Sequence, residues 1–266
     1  MRQPISLLTI AGSDSGGAAG LQADLKTWTT LGYYGMSAIT AVTAQNSEGV
    51  TAVHPLPPDF IAAQIDAVLN DYGAAAIKTG FIGRVESIEA IADRLNFWRD
   101  RLISRPFIVV DPVLVNHRGE AMFTPAVADA YRNLLFPLAD LVTPNRAESE
   151  LLGFTSDSRL PPTASFVDWG VDRVLLKGIR EGGDIMDIFW DGQAATLLRQ
   201  PAIDTINVHG SGDTLSAAIS AFLAAGAEWL DAVRQAQRFT YEAIVRGAGW
   251  RLGRGHGPVG LGPLDG

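Results

Sequence analysis

The reading of this chain turns on His209-Gly210-Ser211-Gly212-Asp213-Thr214, followed directly by Leu215-Ser216-Ala217-Ala218-Ile219-Ser220-Ala221-Phe222-Leu223. Two glycines bracket a serine, an acid and a hydroxyl follow, and the apolar run reads as a helix. Glycines just ahead of a helix permit a tight turn and leave its first N–H groups unobstructed. Those N–H groups and the helix dipole favour an anion. Asp213, in the same turn, is placed to take a proton from a hydroxyl group. An anion cradle of Gly210, Ser211 and Gly212 beside such a base is what phosphoryl transfer to an alcohol requires. The same residues would also serve as an ordinary helix start, with Asp213 offsetting the dipole. The rest of the chain decides between the two.

After this stretch, Val233, Ala236, Phe239 and Ala243 stripe one face of a last helix over about 230–246, and residues 253–258 form a glycine-rich tail. Before it, Ile185 to Trp190 and Ala194 to Leu198, joined by Asp191-Gly192, read as a hairpin. Asp172 to Lys177 is a strand ending at Gly178. The polar segment 155–170, with Pro161-Pro162, has room for a short helix only. Asp140 to Val142 is a strand ending at Thr143-Pro144-Asn145-Arg146-Ala147-Glu148. Asn145 and Glu148 stand three apart at a helix start. They form either a capping pair or oxygen ligands for Mg²⁺ acting through water, and spacing does not separate the two. Phe107 to Val110 is wholly apolar, as in a parallel sheet covered on both faces. It ends at Asp111, where open α/β sheets bind ligands.

Further upstream the alternation continues. Val85, Ile88, Ile91 and Leu95 stripe one helix, Ala74 to Lys78 is a strand, and Pro57-Pro58-Asp59 starts a helix with Ile61, Ile65, Val68 and Leu69 on one face. Gly35 to Ala44 reads as a strand and residues 45–50 as a polar turn. Gln45 in that turn could bond a ligand through both amide faces, or be a plain loop residue. Ile5 to Ile10 is a strand, residues 11–20 a glycine loop carrying Gly12, and Leu21, Leu25 and Trp28 recur at helical spacing. Asp24 lies one turn into that helix, where spacing alone reads it as a solvated residue. The expectation is α/β: three layers, α/β/α, around a mostly parallel sheet, in one domain over 1–266.

The composition fits. The 266 residues are 47% hydrophobic and 19% charged, with net charge −8 and no cysteine. Disulfides and thiolate metal sites are thereby excluded. With no basic stripe, a nucleic-acid partner is not expected. No apolar run reaches membrane-spanning length and the first residues lack a signal-peptide pattern, so a cytoplasmic protein is the expectation.

Taken together, these stretches resemble the phosphomethylpyrimidine kinases of thiamine biosynthesis, within the ribokinase-like superfamily. The matching pieces run in order: Ala11 to Gly17, Gln22 to Lys26, Gly35 to Thr40, Thr43 to Asn46, Lys78 to Gly80, Val110 to Val113, Thr143 to Asn145 with Glu148, Leu176 to Gly178, His209 to Thr214 and Gly255 to Val259. The resemblance implies ATP- and Mg²⁺-dependent phosphorylation of 4-amino-5-hydroxymethyl-2-methylpyrimidine, then of its monophosphate, by a homo-oligomer, commonly a dimer. It implies that Gln45 reads the aminopyrimidine with Asp24 and Gly12 nearby, and that Gly210 to Asp213 surround the transferring phosphoryl group. It further implies that Asp111 and Glu148 organise Mg²⁺, and that Asn145, Lys177 and Thr214 lie along the nucleotide phosphates.

Three departures stand out. These kinases usually carry cysteine at the position of Asp213, where most of the wider superfamily carries aspartate. Their Lys-Gly-Gly-His is here Lys177-Gly178-Ile179-Arg180, and the segment 155–170 looks shorter than theirs. A carboxylate at 213 suits an alcohol acceptor, whose proton must leave, but would repel a phosphate acceptor by a few kcal/mol at about 4 Å. The expectation is a stronger preference for the alcohol step than in cysteine-bearing relatives. The rival readings are a pyridoxal or pyridoxine kinase of the same fold, a non-catalytic pyrimidine-binding regulator, and a sugar or nucleoside kinase.

Overall fold

The computed structural model describes residues 3–116, 121–153 and 170–262. Its nine strands form one sheet: β1 (Ser6–Asp14), β2 (Tyr34–Asn46), β3 (Gly49–Pro55), β4 (Ala76–Thr79), β5 (Phe107–Val110), β6 (Leu141–Val142), β7 (Val174–Glu181), β8 (Asp184–Trp190) and β9 (Ala195–Pro201). They lie in the order β3-β2-β1-β4-β5-β6-β7-β8-β9. From β2 to β7 every pairing is parallel, while β3, β8 and β9 are added antiparallel at the two edges.

The helices are α1 (Gly20–Thr30), α2 (Pro58–Asp71), α3 (Val85–Arg99), α4 (Pro125–Ala130), α5 (Arg146–Leu151), α6 (Ser211–Ala224) and α7 (Trp229–Gly247). Side chains alternate across a strand, so β1 sends Leu8 and Ile10 to one face and Leu7 to the other. Leu8 and Ile10 join Ile61, Ile65, Ile88, Ile91 and Tyr131 beneath α2, α3 and α4. Leu7 packs with Trp28 and Ala217 beneath α1 and α6. Farther along that face, Val109, Leu175 and Phe189 meet Leu215, Ile219 and Val233 of α6 and α7. Both faces are covered, which is why the central strands are apolar without a polar side. The three-layer α/β/α fold expected from the alternation is the one observed.

Two elements differ from the sequence reading. Residues 49–55 form β3, a hairpin partner of β2, where a polar turn was expected through Val50. The turn is only Ser47-Glu48; the strand escapes pattern reading because neither of its faces is buried. Residues 125–138 are helical, as α4 followed by single π and 3₁₀ turns, and no stripe announced them. The short helix expected within 155–170 lies outside the described residues, apart from Gly170.

The strand order reverses beside β1, with β2 on one side and β4 on the other. In open α/β sheets the crevice at such a point, outside the carboxyl ends of the strands, is where ligands bind. The ends of β1, β4, β5, β6 and β7 there supply Asp14, Gly80, Asp111, Asn145 and Lys177.

Candidate active site

Helix α6 opens the crevice. Gly210 is its N-cap at φ +80°, with no side-chain cap over the first turn; the Ser211 N–H donates to the Val208 carbonyl at 3.1 Å, and the Gly212 and Asp213 N–H groups that follow face the crevice side where an anion would sit. A Cβ at Gly210 would overlap the Ala18 carbonyl oxygen, which brings the loop after β1 directly against the start of α6. The side chain of Asp14 shapes that loop: its carboxylate accepts from the N–H groups of Gly16 (2.7 Å), Ala18 (2.8 Å) and Ala19 (2.9 Å). Thr214 is fully buried, and its hydroxyl donates to the Gly210 carbonyl at 2.8 Å. It holds the turn from inside the fold.

Asp213 reaches under the cradle. Its Oδ2 accepts from Gly20 N at 3.1 Å and its Oδ1 from Lys78 Nζ at 2.9 Å. Lys78 sits on β4, completely buried, and its Nζ also donates to Asp24 Oδ1 at 2.7 Å. Asp24 Oδ2 in turn accepts from the Thr9 hydroxyl at 2.6 Å. Asp24 is therefore not a solvated helix residue. Nor is it open to substrate, since it is fully buried and both oxygens are engaged. Burial pushes the Asp24 carboxyl up to about 7, against the pull of Lys78. Burial alone would also raise Asp213, but Lys78, with the Gly20 N–H and Lys177, outweighs it and holds that carboxyl below its ordinary value. For Lys78, burial favours the neutral amine, and Asp213 and Asp24 together overcome it and keep the side chain protonated.

On the far side of α6, Lys177 Nζ stands 2.7 Å from Asp111 Oδ1, and Ser216 Oγ donates to Asp111 Oδ2 at 3.0 Å. A Cβ on Gly212 would lie 3.3 Å from Lys177 Nζ, so this ammonium borders the cradle. Lys177 faces inward because β7 bulges between Leu176 and Ile179. Gly178 takes φ +75° there, and its N–H is held by Asp187 Oδ1 at 2.7 Å. Asn145 and Glu148 form a reciprocal capping box on α5. Burial pushes Glu148 up to about 7 against the pull of Lys177, and Asp111 adds to the rise. Lys177 is paired with Asp111 and acts on Glu148 only through space.

Across the crevice, the Gln45 amide nitrogen donates to His209 Nε2 at 2.9 Å, and Thr43 Oγ1 lies 3.4 Å from Gln45 Oε1. One amide face is therefore already occupied by His209, and the carbonyl face is the freer one. Gly12 lies against the Phe81 ring, which a Cβ there would press at 2.9 Å. Lys78, Asp14 and His209 lie in stretches that the sequence reading quoted, but neither they nor Asp187 were given a role there. Of the four, only Asp14 carries a local signal, as an Asx residue ahead of Ser-Gly-Gly.

A parallel sheet with an anion cradle, a carboxylate beneath it and a lysine beside it at a topological switch point defines an ATP-dependent small-molecule kinase of ribokinase-like fold. The profile of the family described as Phosphomethylpyrimidine kinase matches residues 14–260. The chain belongs to that family. It is 44% identical over 260 residues to the hydroxymethylpyrimidine/phosphomethylpyrimidine kinase of Rhizobium meliloti, covering 95% of each. It is 43% identical to the thiamine biosynthesis bifunctional protein ThiED of Geobacter sulfurreducens, over 96% of this chain and 51% of that protein, so it spans about half of that relative. Among solved structures, the ADP complex of Bacillus subtilis pyridoxal kinase superimposes with a TM-score of 0.85 at 34% identity, covering 97% of this chain and 98% of that one.

Proposed function

We propose that this chain, as a single kinase domain, transfers the γ-phosphoryl group of ATP to the hydroxymethyl group of 4-amino-5-hydroxymethyl-2-methylpyrimidine, and then phosphorylates the resulting monophosphate. The observation that carries the reading is Asp213 at the mouth of the α6 anion cradle, 15% exposed while its partner Lys78 is fully buried. The acceptor oxygen bonds to the γ-phosphorus, the bond to the β–γ bridging oxygen breaks with its electron pair on ADP, and the hydroxyl proton passes to the Asp213 carboxylate. The Gly210 and Gly212 N–H groups and the Ser211 hydroxyl meet the charge on the transferring group. Gln45 offers its carbonyl to the pyrimidine amino group, and Gly12 with Phe81 backs the ring. Lys177 and the Asn145 amide line the nucleotide phosphates.

Asp111 and Glu148 would hold Mg²⁺, through water and together with the phosphates. The fit is one of charge and donor type: of two buried carboxylates only Asp111 is ion-paired, with Lys177, while Glu148 feels that ammonium from farther away, and hard oxygen donors suit this ion. Bound there, Mg²⁺ would offset phosphate charge. β3 is the edge strand on this side of the sheet, with Val50 and Val53 exposed, and unpaired edges invite pairing. We assign this edge to a homodimer contact, testable by light scattering of a Val53→Lys variant. No helix among the described residues is long and apolar enough to cross a membrane, and we place the chain in the cytoplasm.

The test is steady-state turnover of MgATP with three acceptors: the pyrimidine alcohol, its monophosphate and pyridoxal. Alcohol turnover that falls at least about a hundredfold in Asp213→Asn, the range of a lost general base, supports the assignment. The likeness to pyridoxal kinase carries a second reading, and turnover of pyridoxal alone would establish it. Undiminished alcohol turnover in Asp213→Asn would remove the base role.

A further inference from the structure

Asp24 and Lys78 touch neither the acceptor nor the nucleotide in the reading above, yet they are the most deeply buried charges beneath it. Side-chain exposure is 0% for both and 15% for Asp213. Three elements clamp the closed end: Thr9 of β1, its register partner Lys78 of β4, and Asp24 of α1. The result is a row of charges, minus, plus, minus, whose one open end lies in the anion cradle. Other charged groups nearby are Lys177 of β7 and Asp111 after β5, and these two are paired with each other.

We propose that Asp24 and Lys78 are positioning residues that act through Asp213 to set which acceptor the site phosphorylates. The inference rests on the two-acceptor reading above. An alcohol needs a base at 213. A monophosphate dianion attacks through an oxygen that carries no proton, so it needs no base, and it is disfavoured by negative charge beside it. An ammonium belonging to Asp213 alone would offset the charge but strip the basicity. A bare Asp213 would do the reverse. Competition from Asp24 divides the ammonium between the two carboxylates, so Asp213 keeps part of its proton affinity while part of its charge is offset. The like-charge repulsion expected from sequence thus meets a counter-charge that sequence spacing did not show.

The experiment measures kcat/KM for the alcohol and for its monophosphate, with MgATP at pH 8, in two variants that move the row in opposite directions. Asp24→Asn is isosteric and leaves Lys78 wholly to Asp213. The alcohol-to-monophosphate ratio is expected to fall at least about tenfold, the equivalent of one pKa unit at Asp213. The double variant Asp24→Leu with Lys78→Met removes the pair without changing net charge, and the ratio is expected to rise at least about tenfold. In an Asp213→Asn background, Asp24→Asn is expected to leave the ratio where it was. A partly unfolded enzyme loses both activities alike and cannot produce shifts of opposite sign. Equal losses on both acceptors, or a ratio shift that persists without Asp213, would overturn the proposal. Wild-type turnover of neither acceptor would instead remove the function on which it rests.

Discussion

Gly210 joins the two loops of the crevice, because its missing side chain is the space taken by the Ala18 carbonyl. Gly210→Ala combines a left-handed backbone with that overlap. It should cost about 1–3 kcal/mol of stability and abolish turnover by parting the cradle from the first loop; urea unfolding and steady-state kinetics read the two effects. His209→Leu has a different signature. It releases the Gln45 amide without touching the cradle, so KM for the pyrimidine should rise about tenfold, the worth of one hydrogen bond, while kcat holds. A rise in neither would make Gln45 self-supporting. At this scale the sequence is legible where function is local. Gly210 to Asp213 announce themselves because cradle and base share one turn. Lys78 does not, because its meaning comes from Asp24 and Asp213, 54 and 135 residues away.

Helix α5 begins with the capping box that Asn145 and Glu148 suggested, and the proposed nucleotide and Mg²⁺ roles fall on the same two residues. Both readings left open by their spacing are thus compatible, since a carboxylate oxygen that accepts one N–H retains a second lone pair. Asn145→Ala should lower stability by about 1 kcal/mol, the ordinary loss of an N-cap, and should raise KM for ATP as well, measured by denaturation and by nucleotide titration. Strand β7 depends on a less visible device. Asp187 of β8 is buried, takes the Gly178 N–H, and accepts from Gln237 of α7 at 2.5 Å. Asp187→Ala should destabilise by about 2 kcal/mol through the unpaired donors it leaves and weaken ATP binding through Lys177; retained ATP affinity would uncouple the bulge from the site. In general, elements were legible where one face is buried. The stripes of α2 and α3 name their own core residues. β3 has no buried face and so no pattern, and α4 is too short to repeat one.

For the whole molecule, alternation of strand and helix yields the layers but not the strand order. The reversal beside β1 that makes the crevice follows from which strands pair, and the pairing joins segments far apart in the chain. Burying charges under that crevice has a consequence for stability as a function of pH. Burial raises the Asp24 and Glu148 carboxyls to about 7, and it raises Asp187 as well. An unfolded chain releases all three protons near pH 4. Above that pH, up to the raised folded values, the folded state retains protons that the unfolded state has lost, so stability falls as pH rises. Asp213 is shifted the other way; its contribution is complete above about pH 4 and flat across this window. Net charge of −8 adds self-repulsion in the same direction as these raised carboxyls. The melting temperature should therefore be higher at pH 5.5 than at pH 8, by about 2–4 °C for each kcal/mol released in a domain of this size. Asp24→Asn should flatten the slope, because the amide cannot ionise and still faces Lys78. Calorimetry across pH 5–8 on both proteins decides it: a slope unchanged in Asp24→Asn, or a wild-type melting temperature that is level or climbs with pH, would mean that the row beneath the site carries no net strain of charge.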